Sequence, residues 1–368
     1  MKKFSVVLAA AGLTASLGAY ATLPTDATPF SLNIPNLQSG LEITLEGLLV
    51  RPDVINSDYA TLQDIDLDRG RRDHFNFSDN RSVQNVNPSY DFGFRVGLGY
   101  IFPDSGNDVQ LSWTHFQDTN TNSTGIGDNE VLVTGAGVPL INPNIFGDEI
   151  FGDASANTSL KNQFDAVDLT VGQYVNIGTR LQTRLFGGLR YAYVQQNQTS
   201  NYGAFYQREN RDDPFLVYGE RDTFNSKFNG LGPRLGFQAA YNVWDCFGVT
   251  GSVAGSLLVG KVKSSSDTDI VVDVEDRRRD EPFSFDINSS SNVWRVVPEL
   301  DARLGLNYTW TVGTNSALTL EGGYQVTQYF NAVDKLHNNV SVLNGVNTTR
   351  ETSDVGFDGP YLSLNYKM

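Results

Sequence analysis

The chain has 368 residues, with 27 Lys and Arg against 42 Asp and Glu and a formal net charge of −15. That acidic balance argues against binding nucleic acid, which relies on cationic side chains at phosphates, and a single cysteine, Cys246, excludes an internal disulfide framework. Beyond the N-terminus no stretch approaches the ~20 uninterrupted apolar residues of a transmembrane helix, so an exported chain of this kind is periplasmic, secreted or a β-barrel.

Lys2 and Lys3 precede a short apolar run, Val6 to Leu17, and a small-x-small site, Ala19-Tyr20-Ala21. The pattern predicts a signal peptide over residues 1–21, removed after Sec-type export, and a single barrel domain over residues 22–368. Leu41–Val50 is the first segment with a period of two: Leu41, Ile43, Leu45 and Leu49 share one face, Glu42, Thr44 and Glu46 the other. A strand turns successive side chains to opposite faces, so this is a strand with one apolar side. The following Asp64-Ile-Asp66-Leu-Asp68-Arg-Gly70 is close to a calcium loop, but its glycine stands one place late and Phe75 occupies the position of the bidentate glutamate. It reads as a solvated acidic loop, and no metal is expected.

Tyr90–Phe102 alternates Tyr90, Phe92, Phe94, Val96, Leu98, Tyr100 and Phe102 against Asp91, Gly93, Arg95, Gly97 and Gly99. Asp108–Gln117 sets Val109, Leu111 and Trp113 against Gln110, Ser112 and Thr114. Val131–Ile141, inside a long connection, is a candidate extra hairpin. Phe164–Ile177, Arg180–Gln195, Lys227–Val243 and Phe247–Lys261 repeat the alternation, with Arg184, Arg190 and Arg234 on the polar faces. Arg277-Arg278-Arg279 suits phosphate groups, but Asp273, Glu275, Asp276, Asp280 and Glu281 neutralise it locally.

Trp294–Trp310 is the longest alternation: Trp294, Val296, Pro298, Leu300, Ala302, Leu304, Leu306, Tyr308 and Trp310 against a face that includes Glu299, Asp301 and Arg303. From Val296 to Leu306, at about 3.3 Å per residue and a tilt near 40°, the apolar face spans roughly 25 Å, the height of the lipid-facing band of an outer-membrane barrel. Ala317–Phe330, with Glu321 on its polar face, and Tyr361–Met368 complete ten strands. Four connections are short and five are long, each about 30 to 45 residues, in strict alternation. Short periplasmic turns and long external loops are the signature of an outer-membrane barrel.

The predicted fold is therefore an all-β, antiparallel up-and-down transmembrane barrel of about ten strands, twelve if Val131–Ile141 adds a hairpin. Lipid offers the backbone no partner, so the sheet must close. Its lumen is lined by Glu42, Glu46, Arg95, Arg184, Arg190, Arg234, Glu299, Asp301, Arg303 and Glu321, charges that confinement drives to pair. Tyr90, Phe102, Trp113, Trp294, Tyr308 and Trp310 form the aromatic girdle. Eight strands are just filled by their side chains and sixteen leave a channel, so ten predict a narrow lumen.

Several segments carry a resemblance beyond periodicity. Phe228-Asn-Gly-Leu-Gly-Pro-Arg-Leu-Gly236 is followed by Trp244-Asp-Cys-Phe247 and Gly255-Ser-Leu-Leu-Val-Gly260; Pro298-Glu-Leu-Asp-Ala-Arg-Leu-Gly-Leu-Asn-Tyr308 precedes Glu321-Gly-Gly-Tyr-Gln-Val326, Tyr329-Phe-Asn-Ala332 and Gly359-Pro-Tyr-Leu362. Together these resemble the Legionella major outer membrane protein family, most densely from about residue 180 to the C-terminus. The resemblance implies a surface-exposed outer-membrane barrel with porin-like activity and supplies no catalytic residues.

His74 and His337 fall in long connections, and His115 extends an apolar face near a strand end. No motif positions a nucleophile beside them, so no enzyme and no cofactor is expected. The expected function is a small polar-lined pore for solutes or ions; the alternative is a structural or adhesive barrel whose filled lumen does not conduct. Expected partners are outer-membrane lipids and lipopolysaccharide, the barrel assembly machinery, host or surface ligands of the long loops, and a second copy through Cys246. The terminal residue, Met368, departs from the aromatic that usually ends such barrels.

Overall fold

The computed structural model describes residues 32–35, 37, 39–67, 75–127, 130–141, 150–208, 216–244, 246–274, 282–312, 316–341 and 345–368. Fifteen strands occur in these residues: β1 (Leu32–Asn33), β2 (Gly40–Val54), β3 (Asp58–Leu67), β4 (Phe75–Asn85), β5 (Asp91–Ile101), β6 (Asn107–Gly125), β7 (Glu130–Val133), β8 (Pro139–Ile141), β9 (Ile150–Ile177), β10 (Leu181–Arg208), β11 (Leu216–Asn242), β12 (Phe247–Val274), β13 (Phe283–Val312), β14 (Ser316–Ser341) and β15 (Gly345–Lys367). No helix is present among the described residues.

Ten strands pair in the ring β2-β5-β6-β9-β10-β11-β12-β13-β14-β15, and β15 returns to β2 with Val355 opposite Val54 and Lys367 opposite Glu42. Every neighbour is antiparallel, and the sheet closes on itself through the lower part of the strands. The two residues of β1 lie against the end of β9, Leu32 opposite Ile177. The short connections gather at one end, where Asp104 (φ 53°) and Gly178 (φ 65°) make the tight reversals; this lower end is periplasmic by the turn rule. Gly188 and Gly232 face inward where a Cβ would meet the carbonyls of Leu169 and Leu257 at 2.0 and 1.8 Å, the close backbone approach that a sharply coiled wall requires.

The structure bears out one expectation and corrects another. The strand number is ten: the Val131–Ile141 hairpin forms as β7 and β8, but it belongs to a separate four-stranded sheet of order β4-β3-β7-β8. The long external connections are mostly not loops. From β9 onward the strands run 23 to 30 residues, far past the apolar band, and their register continues without a break from β9 to β13. A tall hydrogen-bonded wall therefore stands above the membrane, and the small sheet sits in its mouth. There Tyr59, Leu132, Leu140, Tyr202, Tyr218 and Ile270 bury one apolar cluster.

A third feature has no local sequence signal. β13 and β14 pair only up to Glu299 opposite Tyr329. Above that point β14 shifts register against β15 between Tyr329 and Val333, with Asn331 at φ 57°. Ala332 to Leu336 are then all buried. The upper β14–β15 hairpin thus leaves β13 and leans into the barrel against β11 and β12, where the Asp334 amide donates to Ser226 Oγ at 3.2 Å.

Candidate functional site

The inner face of the barrel is layered. In the lower half the wall presents polar residues inward because their strand neighbours face lipid. Glu42, Glu46, Arg95, Arg184, Arg190, Arg234, Asp301, Arg303 and Glu321 line one cavity of about 380 Å³, and Glu299 is buried beside it. The cavity extends down past Gln182, Asn307 and Asn365, near the short turns.

These charges are paired almost completely. Arg190 holds Asp168 with both Nε and Nη2 at 2.6 Å and reaches Glu299 at 2.5 Å. Arg234 contacts Glu299 at 3.0 Å and also pairs with Asp301. Across the lumen, Glu46 receives Arg95 at 2.9 Å and Arg303 at 2.6 Å, and the Arg303 guanidinium stacks 4.0 Å from the Tyr361 ring centre. Tyr361 donates to Glu321 at 2.6 Å, and Asn365 donates to Glu42 at 2.6 Å. Lower down, Arg184 is clamped by Asp108 at 2.9 Å. Arg190, bidentate to Asp168 and shared with Glu299, makes a strong, geometrically specific arrangement, and each of the five lumen arginines has at least one carboxylate partner.

Asp108 and Asp168 are two charged lumen residues outside the set that the polar faces gave. Both share the parity of neighbours on those faces, Asp108 with Gln110 and Asp168 midway between Val167 and Leu169, so the period alone was sufficient to find them.

Directly above the charges the lumen turns apolar. On β9, Asp168 is followed inward by Ala166 and Phe164; on β10, Arg190 by Ala192 and Val194; on β13, Glu299 by Val297; on β2, Glu46 by Leu48 and Val50. Phe116, Phe228, Leu258, Tyr329, Val355 and Phe357 complete the layer, all at most 7% exposed. Phe164 and Phe357 lie 4.8 Å apart between ring centres, and Phe164 and Tyr329 lie 5.6 Å apart. Above this layer comes a second polar cavity of about 110 Å³, with Asp58, Gln198, Asp222 and Lys335 in its wall.

The inward hairpin separates the two cavities and is tied to the wall by polar contacts along its length, including Asn338 Nδ2 to Ser266 and Thr268. Arg295 grips Asp334 at 2.7 and 3.0 Å. Lys335 Nζ donates to the Asp58 carboxylate at 3.0 Å and to the carbonyls of Asn56 and Asp58 at 3.2 and 2.7 Å. The Lys335 ammonium holds the Asp58 carboxyl below its ordinary range against the opposing effect of burial.

Outside, Tyr90, Trp113 and Trp294 face outward at the upper edge of the apolar band, and Phe102, Tyr308 and Trp310 at the lower edge, each more than 40% exposed. Trp244 joins them at the lower turn, 71% exposed, a position that no alternation announces. Cys246 is exposed in the same turn. His115 bonds Asp165 at 2.7 Å on the outer face, and His337 meets Glu351 at 3.5 Å on the upper hairpin. Residues 1–21, His74, the end of the acidic Asp64–Gly70 segment and Arg277–Arg279 lie outside the described residues.

A family model described as the Legionella pneumophila major outer membrane protein precursor matches residues 33–368. Among solved structures, the chain is similar to the outer membrane protease OmpT from Escherichia coli, at 13% identity over 91% of this chain and 99% of that one, with a TM-score of 0.38. It is also similar to a Pseudomonas aeruginosa FadL homologue, at 9% identity over 89% and 90% of the two chains, TM-score 0.22, and to the Pseudomonas putida toluene transporter TodX, at 9% identity over 89% of each, TM-score 0.18. No curated protein matches.

Proposed function

Since the chain belongs to the Legionella major outer membrane protein family and resides in the outer membrane, we propose that it is a porin-like barrel whose passage for small hydrated solutes stands closed at rest. The observation that carries this reading is the sequence of layers along the lumen: a charged cavity of about 380 Å³, a dry apolar layer, and a polar cavity of about 110 Å³. A hydrophobic constriction between wet compartments gates by dewetting. The β14–β15 hairpin supplies Tyr329, Val333, Val355 and Phe357 to that layer, and its bend at Asn331 marks where it would swing. Below the constriction, five arginines are interleaved with acids, so the passage favours small solutes of either charge and discriminates weakly between ions.

Planar-bilayer recording of the folded protein tests this. Wild type conducts in small, infrequent steps, and Tyr329→Ala with Phe357→Ala raises both step size and open time. A folded double variant that stays silent removes the pore reading. It would leave the second reading, a non-conducting barrel that displays its wall and cap at the surface, which the same buried apolar layer favours.

A further inference from the structure

The lipid-facing side of the wall carries one concentrated basic site. Lys227 on β11 stands directly opposite Lys263 on β12 in the sheet register. Lys261 follows two residues below on the same face and lies opposite Trp294 of β13, its Nζ 4.9 Å from the indole ring centre. Lys161 on β9 flanks the group one row higher, joined to it through Asn197 and Asn225. Three of the chain's eight lysines therefore meet at one place, with a fourth two strands away, in a molecule of net charge −15.

Their height is the second observation. Immediately below them the outward face carries Leu231, Val259 and Val296, each more than 50% exposed and so in contact with acyl chains. Immediately above, it carries Asn225, Ser265 and Ser290. The ammonium groups thus sit where hydrocarbon gives way to headgroups, on the external side. Lys161, Lys227 and Lys263 are exposed, and among the described residues none of the four makes an ion pair.

Like charges directly opposite one another across a strand pair are destabilising. Lys227 and Lys263 are such a pair, about 5 Å apart at the backbone by strand spacing, and no carboxylate stands between them; the nearest acid above on β12 is Asp267. An anion shared by the lysines removes the repulsion. We propose that Lys227, Lys261 and Lys263, with Lys161 at the flank, bind the phosphate groups of the outer-leaflet glycolipid, lipopolysaccharide, while the exposed face of Trp294 packs on the lipid beneath. The site is separate from the lumen and holds whether or not the barrel conducts.

The test uses the full folded barrel in detergent, with heat-modifiable migration verifying the fold, and titrates lipopolysaccharide before and after enzymatic removal of its phosphates. Intact lipid binds, and the dephosphorylated lipid binds at least about tenfold more weakly, which needs no variant. Lys227→Gln, Lys261→Gln and Lys263→Gln together weaken binding roughly a hundredfold, from about fivefold per lysine at a charged lipid surface; Lys161→Gln alone costs a few-fold. Inorganic phosphate in millimolar excess leaves the complex intact. Equal binding of phosphorylated and dephosphorylated lipid overturns the proposal, as does a folded triple variant of wild-type affinity. Displacement by inorganic phosphate would reassign the site to a free anion.

Discussion

The lower and upper halves of the same strands obey opposite rules. On β12, the lower half turns Val249, Val253, Leu257 and Val259 outward and Ser252 and Ser256 inward; the upper half turns Lys263, Ser265, Asp267 and Asp269 outward and Ile270 inward among Ser264, Ser266 and Thr268. The backbone ladder to β11 and β13 runs through the change without a bulge in the upper wall. Hydrogen bonding fixes where the strand is, whereas the surrounding solvent fixes which face is apolar. Below, lipid takes the apolar face and the lumen must neutralise its own charges; above, water takes the outer polar face, and the inner face packs an apolar cluster beside a small polar cavity.

Breaking the lower half at its charge network has the largest expected effect. Arg190→Ala leaves Asp168, Glu299 and Asp301 short of a cation in a buried site and costs at least about 3–5 kcal/mol, the penalty of an uncompensated buried charge. Urea unfolding followed by heat-modifiable migration measures it. Phe228→Ala, in the apolar layer between the halves and 0% exposed, costs about 3 kcal/mol by the same assay. The contrast itself is sharpened by one substitution made twice on the outer face. Leu304→Arg, near the middle of the lipid band, costs about 2–4 kcal/mol in a bilayer, while Asp267→Arg in the upper wall stays within about 0.5 kcal/mol. Equal costs would mean that both positions see the same solvent.

The smallest effect concerns the cap. Burial, reinforced by neighbouring Glu220, pushes the Asp222 carboxyl up from 3.8 to about 8. Glu220 also accepts the Ala136 amide of the β7–β8 turn at 3.0 Å; Lys335 is the cation facing Asp222, and Thr268 hydrogen-bonds it. A carboxyl whose folded pKa is raised contributes stability that is full below 3.8 and lost as pH rises through about 8. Hydrogen-exchange protection of the Thr134–Val138 turn therefore falls between pH 6 and 9, on the order of a hundredfold, and Asp222→Asn flattens the profile.

The lower half was legible as a pattern, although the polar faces passed over Asp108 and Asp168 and nothing announced Trp244. Alternation placed the lipid face, the short turns, closure by β15 on β2, and lumen arginines and acids that pair in the structure. The upper half was not, for a physical reason. Thr119–Gly125, Ser264–Thr268 and Asn288–Asn292 are rich in the residues that favour turns, yet they are strands because long-range pairing in an already started ladder outweighs a weak local preference. The inward hairpin depends on Asn331 adopting a left-handed conformation and on where Asp334 and Lys335 find partners far away in the chain, at Arg295 and Asp58. No spacing near residue 331 encodes those contacts.

The claim that one sheet passes from lipid into water with its ladder unbroken is tested most directly along β12. In a Cys246→Ser background, single cysteines from Val249 to Asp269 are reacted with a water-soluble thiol reagent in the reconstituted membrane. The account predicts protection of outward positions through Val259, reaction at outward positions 263, 265, 267 and 269, and protection of the inward apolar positions Leu258 and Val262. Uniform reaction above residue 261 without alternation would contradict it, since that is the behaviour of a loop.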